Sequence, residues 1–182
     1  FGDYNNDWWL DIFVTNSSLE TNTLYKNNGD GTFTDVTEIA RLAQPSYLML
    51  AFGTKFFDFD NDGDLDLFVA NGHLQPDIER LADYTTYAQN DQLFQNNGDG
   101  TYTEIGAALG GYFAERYVGR GAAFGDYDND GDLDLVVAGS TNTGPTADHK
   151  GHEDTKTQNY LVVFVSCDFV VKFVTGVSSR RV

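Results

Sequence analysis

The sequence holds a single cysteine, Cys167, so no intrachain disulfide framework can brace it. Basic residues are scarce. There are 11 lysines and arginines against 28 aspartates and glutamates, and the formal net charge is −17. That balance excludes nucleic acid as a natural partner, because phosphate binding needs clustered Lys and Arg. No apolar run reaches the ~18–20 residues of a membrane span. The chain opens on "FGDYNNDWWLD", with neither an initiator Met nor a signal peptide. It therefore reads as a mature product or a fragment, cut inside a motif that recurs later.

What is present is a chain of 182 residues, 41% hydrophobic and 14% aromatic, which is not the composition of a disordered acidic segment. A length like this buries one sizeable core, or part of a larger modular one. The acidity is local: thirteen of the 28 acids fall in three short clusters. Cations or basic surfaces are the natural counterparts of such clusters.

The clusters are copies of one motif: "FGDYNNDWWLDIFVTN" from Phe1, "FFDFDNDGDLDLFVAN" from Phe56 and "FGDYDNDGDLDLVVAG" from Phe124. A second motif follows the first two, as "TLYKNNGDGTFTDV" from Thr23 and "QLFQNNGDGTYTEI" from Gln92. From the second motif to the next acidic cluster the spacing is nearly constant, Leu24 to Asp58 and Leu93 to Asp126. In the other half it grows by an insertion over 72–91. Each unit reads as four strands. An apolar segment leads into the acidic loop, a buried-type run such as "LDLFVA" leaves it, and "NNGDG" turns a hairpin. Imperfect period-2 alternation fits sheets covered on both faces. The expected fold is all-β: two to three four-stranded antiparallel blades of a β-propeller, with units starting near 1, 50 and 119. Residues 141–159 read as a polar linker and 160–182 as a C-terminal β segment.

The acidic loop has the form of a calcium site. Carboxylates at positions 1, 3 and 5, followed by a Gly for the sharp turn, can wrap a cation that takes six to eight oxygens. Asp58, Asp60, Asp62 and Gly63 fit this pattern, as do Asp126, Asp128, Asp130 and Gly131. Asp66 and Asp134, at position 9, are the closing ligands. Asp64 and Asp132, at position 7, are placed to offer a backbone carbonyl, with the side chain free for loop N–H groups. The first loop, with Asp3, Asn5, Asp7 and Asp11, carries Trp8 where Gly is expected. A positive φ there would strain a bulky residue by ~1–2 kcal/mol. An EF-hand is excluded, because position 12 is Val69 or Val137 instead of Glu.

At these residues the sequence resembles the FG-GAP/VCBS repeat proteins, whose calcium loops lie between blade strands of β-propellers. "VANGH" followed by Pro, and "QNDQLFQNNGDG", make it most similar to the ASPIC/UnbV group, the cartilage acidic protein-like family. The resemblance covers roughly residues 1–147. It implies a secreted or cell-surface, calcium-binding module for binding or adhesion, with no catalysis and with a protein or glycan ligand. It also implies a small β-rich domain after the repeats, whose start would be the 160–182 segment. The tail departs from the family pattern, giving "QNYLVVFV" where Asn-His-Trp-Leu is typical. The alternative expectation is a structural subunit of an extracellular filament or multimer, joined through exposed β edges.

Four further features carry duller expectations. "DHKGHED", with His149, His152, Glu153 and Asp154, reads as solvated linker before it reads as a metal cluster. His73 reads as turn polarity. Asn16-Ser17-Ser18 is a glycosylation sequon of a kind that often arises by chance. Trp8 and Trp9 are expected to pack between blades in preference to forming a sugar-stacking platform.

Overall fold

The computed structural model describes residues 1–126, 129 and 133–140, together with the backbone of 159–165 and 171–177. Among the described residues the fold is all-β and antiparallel, with helical turns at Ala43–Ser46, Ile78–Arg80, Gly106–Leu109 and Gly111–Ala114. The first sheet holds β1 (Ile12–Val14), β2 (Thr23–Asn27) and β3 (Phe33–Asp35) in that order. The second runs β4 (Ala51–Phe57), β5 (Asp66–Asn71), β6 (Gln92–Asn96) and β7 (Tyr102–Glu104). The third runs β8 (Val118–Gly125), β9 (Asp134–Ser140), β10 (Asn159–Val165) and β11 (Val171–Val177).

Each sheet is a meander of neighbours in sequence, and the repeat is visible in its register. Phe57 pairs with Asp66 across the second acidic loop, Gly125 with Asp134 across the third, and Gly2 bridges Asp11 across the first. The two "NNGDG" segments turn as expected. Asn28 N donates to Thr32 O and Asn97 N to Thr101 O. Positive φ falls on Gly29, Gly31, Gly98 and Gly100, which glycine adopts without a Cβ penalty. The C-terminal tail supplies β10 and β11, and β10 pairs with β9 from Leu135↔Val165 to Ser140↔Tyr160.

The core lies between the sheets. One cluster joins Tyr4, Phe13 and Leu24 of the first unit to Phe56, Leu67, Val69, Phe94 and Tyr102 of the second. The other joins Phe57, Phe68, Ala70 and Leu93 of the second unit to Leu135 and Val137 of the third. Successive residues of a strand point to opposite faces, so β5 serves both clusters and all six of its residues are buried. Burial on both faces is the reason "DLFVAN" lacks clean alternation.

Leading strands β4 and β8 approach main chain to main chain. A Cβ on Gly53 would sit 2.6 Å from Ala122 N and 2.7 Å from Gly121 Cα. Both strands shift register at this point, between Ala51 and Thr54 and between Gly119 and Gly121.

The insertion over 72–91 ends on a buried acid, Asp91. Its carboxylate accepts from Asn71 N at 2.7 Å and from the Tyr112 hydroxyl. The first unit makes the same contact with an amide: Asn16 N donates to Asn22 Oδ1 at 2.8 Å.

Candidate metal centre

The second acidic loop connects β4 to β5, and its own carboxylates hold its shape. Asp58 accepts from Asp62 N at 3.1 Å and from Gly63 N at 3.0 Å, and Asp62 accepts from Asp64 N at 2.9 Å. Asn61 and Gly63 take positive φ, 58° and 92°, which curls the chain around the Asp58 side chain. Asp66 is fully buried and clamps the loop to the neighbouring hairpin. Its two oxygens accept from Phe59 N at 2.6 Å and Asn96 N at 2.8 Å. Asp60 accepts from Gln95 Nε2 at 2.6 Å.

This geometry brings one oxygen from each of Asp58, Asp60 and Asp66 within 4.8 Å of the others. Two oxygens on opposite sides of a calcium ion, each ~2.3–2.6 Å from it, stand about that far apart. The three residues run from half-buried through exposed to buried, an open-sided arrangement that leaves room for further oxygens. Burial pushes the Asp66 carboxyl up to about 6, against the two N–H donors that pull it down. The neighbouring Asp60 and Asp62 charges push it further up. A bound cation supplies the opposite charge that such a cluster needs.

Asp62 and Asp64 stand outside the triad. Asp62 is engaged with its own loop, and Asp64 accepts from Asn6 Nδ2 of the first loop at 2.7 Å.

The first loop repeats the frame with different contents. Asp3 accepts from Asp7 N at 3.0 Å and Trp8 N at 2.7 Å, while Asp11 accepts from Tyr4 N at 3.1 Å and Asn27 N at 2.8 Å. Asn5 stands where the second loop has Asp60. Trp8 stands where it has Gly63, and its φ is 72°. Lys26 Nζ lies 3.4 Å from Asp7 Oδ2, and Lys26 occupies the position held by Gln95 in the second unit. In the third unit Asp126 follows β8 and Asp134 begins β9, and Asn129 has a positive φ of 59°, close to those of Asn6 and Asn61. Asp128, Asp130 and Asp132 lie outside the described residues, as does the "DHKGHED" segment.

One expectation on aromatic groups needs revision. Trp8 is 92% exposed, and Trp9 is half-exposed with its indole over Gly29, so the pair does not pack between sheets. The Asn16 amide is engaged internally, donating to Thr21 O at 2.7 Å and Thr23 Oγ1 at 3.3 Å. His73 behaves as turn polarity, its Nδ1 accepting from Gln75 N at 3.0 Å.

Sequence reasoning missed the asparagines that anchor the loops. Asn96 donates from Nδ2 to Tyr4 O and Leu65 O, besides its backbone bond to Asp66. Asn27 likewise donates to Leu10 O and to Asp11. The signal was there, since both hairpin motifs begin "NN" where a two-residue turn needs only one Asn.

The family described as an FG-GAP-like repeat matches residues 3–69 and 70–137. The chain belongs to the FG-GAP-like repeat family. Each match begins near one unit and runs into the loop and strand of the next, so the two together span all three acidic loops. No curated protein matches the chain. FG-GAP-like repeats are typically binding or structural modules, usually of extracellular or surface proteins, and often bind Ca2+. Among the described residues, no helix is long and apolar enough to cross a membrane.

Proposed function

We propose that this chain is an extracellular calcium-binding β-repeat module, of the ASPIC/UnbV type, used for binding or adhesion to a protein or glycan and not for catalysis. Its sheets are blades of a β-propeller. The observation that carries the proposal is the convergence of Asp58, Asp60 and Asp66 within 4.8 Å at the junction of two sheets. Calcium there would be held by those three carboxylates, with Asp62 and Asp64 completing the loop. Asp126, Asp128, Asp130, Asp132 and Asp134 form its counterpart in the third unit. Asp3, Asn5, Asp7 and Asp11 form a weaker version in the first, where Lys26 already supplies positive charge.

The role of the ion is mechanical. Asp66 ties its loop to the β6–β7 hairpin, and Asp64 ties the same loop to Asn6, so a cation at this point stiffens the seam between units. Binding only the folded state at 100 times its Kd, it would stabilise the protein by ~2.7 kcal/mol. Calcium titrated into EGTA-treated protein over ~10⁻⁴–10⁻³ M, the range of extracellular modules, should raise the melting temperature progressively. A flat response would end the calcium reading.

A second reading, as a structural subunit of an extracellular filament or multimer, is favoured by one observation. The first sheet leaves Leu10, Val14 and Phe33 exposed on its surface.

A further inference from the structure

The first and second acidic loops share a frame, and the exchanges between them run in one direction. Aligned residue for residue, Asn5 replaces Asp60, Trp8 replaces Gly63 and Trp9 replaces Asp64, while on the adjoining strand Lys26 replaces Gln95. Three of these four exchanges make the first loop less negative. The second loop carries five carboxylates, Asp58, Asp60, Asp62, Asp64 and Asp66. The first carries three, Asp3, Asp7 and Asp11, with an ammonium beside them.

The frame survives the losses. In the second loop the N–H groups of Asp62, Gly63 and Asp64 donate to Asp58 and Asp62 at 3.1, 3.0 and 2.9 Å. In the first, the N–H groups of Asp7, Trp8 and Trp9 donate to Asp3 and Asp7 at 3.0, 2.7 and 3.0 Å. What differs is what the carboxylates face. Asp7 Oδ2 has two donors turned onto it, Asn5 Nδ2 at 3.0 Å and Lys26 Nζ at 3.4 Å. Gln95, in the place of Lys26, reaches instead to Asp60, the carboxylate that Asn5 replaces. A lysine ammonium is a compact point charge with three donors, and calcium affinity is tuned by ligand charge count and rigidity. Among the described residues, no three carboxylates of the first loop converge as Asp58, Asp60 and Asp66 do. The first loop lacks the donor set of a calcium shell and holds a cation of its own.

We propose that Lys26 is a built-in counter-ion, which closes the first loop without metal and turns calcium away from it. The proposal deepens the calcium reading and rests on it for the second loop. Its consequence is a seam with two unlike halves. The first loop keeps its shape, and with it the Asn6 contact to Asp64, at any calcium concentration. The second loop, with five like charges and no lysine at the corresponding position, is the half that answers to the ion.

The test measures calcium binding by equilibrium dialysis and amide exchange by mass spectrometry. Asp7→Asn should leave the number of calcium ions bound by the parent unchanged. Asn5→Asp with Trp9→Asp gives the first loop five carboxylates, and adding Lys26→Gln to that pair should tighten its calcium binding about 10–100-fold, the range over which outer-shell partners tune metal affinity. In EGTA, amides over 3–11 of the parent should be protected and those over 58–66 should not, with calcium protecting the second set. Lys26→Gln alone should speed exchange over 3–11 in EGTA, and Lys26→Arg, which keeps the charge, should not. Fewer ions bound after Asp7→Asn, or protection over 3–11 that depends on calcium in the parent, would overturn the proposal by showing the first loop filled. Equal calcium binding with and without Lys26 in the five-carboxylate loop would overturn it as well. Circular dichroism of each variant reports whether it has folded. If Asp60→Asn leaves the parent's calcium binding unchanged, the calcium reading of the second loop fails, and the comparisons at Lys26 still decide this proposal separately.

Discussion

Asn6 Nδ2 donates to Asp64 Oδ1 at 2.7 Å, linking the first acidic loop to the second across 58 residues of sequence. The bond is exposed, so its net contribution is small. A charge-assisted hydrogen bond gives ~1.5–3 kcal/mol when shielded and well under that in water. Asn6→Gly, which keeps the positive φ of 56° without a Cβ penalty, should cost about 1 kcal/mol or less, read as a shift in urea midpoint at constant slope. Coupling to Asp64→Ala in a double-mutant cycle should account for most of that loss.

Two carboxylates of the same triad should respond differently to the same change. Asp66→Asn should destabilise the metal-free protein by ~1–3 kcal/mol, because one oxygen acceptor is lost against a buried N–H donor. Asp60 is exposed, and Asp60→Asn should leave metal-free stability within about 0.5 kcal/mol of the parent. Both should weaken the calcium-dependent rise in melting temperature. Chemical denaturation in EGTA and in calcium separates the two effects.

Trp8→Gly should stabilise the protein. Trp8 holds φ at 72° while 92% exposed, so it bears left-handed strain and gains little from packing. Relief of ~1–2 kcal/mol is partly offset by the greater freedom of glycine in the unfolded chain, ~0.5–1 kcal/mol. The expected net gain is about 0.5–1 kcal/mol, visible in the urea midpoint.

Asp91 makes stability depend on pH. Burial raises its carboxyl to about 7, against the Tyr112 hydroxyl and Asn71 N–H that lower it. An unfolded Asp titrates near ~3.9, so between about pH 4 and pH 7 the folded chain keeps a proton that the unfolded chain has lost. Stability from this group therefore rises as pH falls through that window, and it is flat above about 7. Asp91→Asn removes the effect, with the amide oxygen placed to accept from Asn71 N as Asn22 Oδ1 accepts from Asn16 N. The variant should be the more stable protein at pH 8, by ~2–4 kcal/mol. The gap should close toward pH 4 in denaturant melts taken across the range.

The acidic loops and "NNGDG" hairpins were legible in the sequence because glycine and like charge leave few conformations to choose from. The strain at Trp8 was legible too, from its alignment with Gly63. Double burial of β5 could be inferred from broken alternation, though not which neighbour covers which face. Other features could not be read. The Asp91–Tyr112 pair sits at the end of an insertion with no counterpart in the first unit. Contacts such as Gln95 to Asp60 or Lys26 to Asp7 join positions whose proximity exists only once strands have paired. Pairing of the tail onto β9 was hidden as well, because "NYLVVFV" carries no copy of the hairpin motif.

Where Gly53 meets Gly121, the two leading strands are separated by peptide planes alone. Elsewhere in the core, a shortened or lengthened side chain can adjust how far apart two sheets stand. At this point nothing is left to adjust, and the contact acts as a fixed gauge for the seam. Drift in sequence between relatives would therefore alter the loops at the ends of the strands while the spacing between units stays the same. A surface can vary freely on a scaffold whose dimensions cannot.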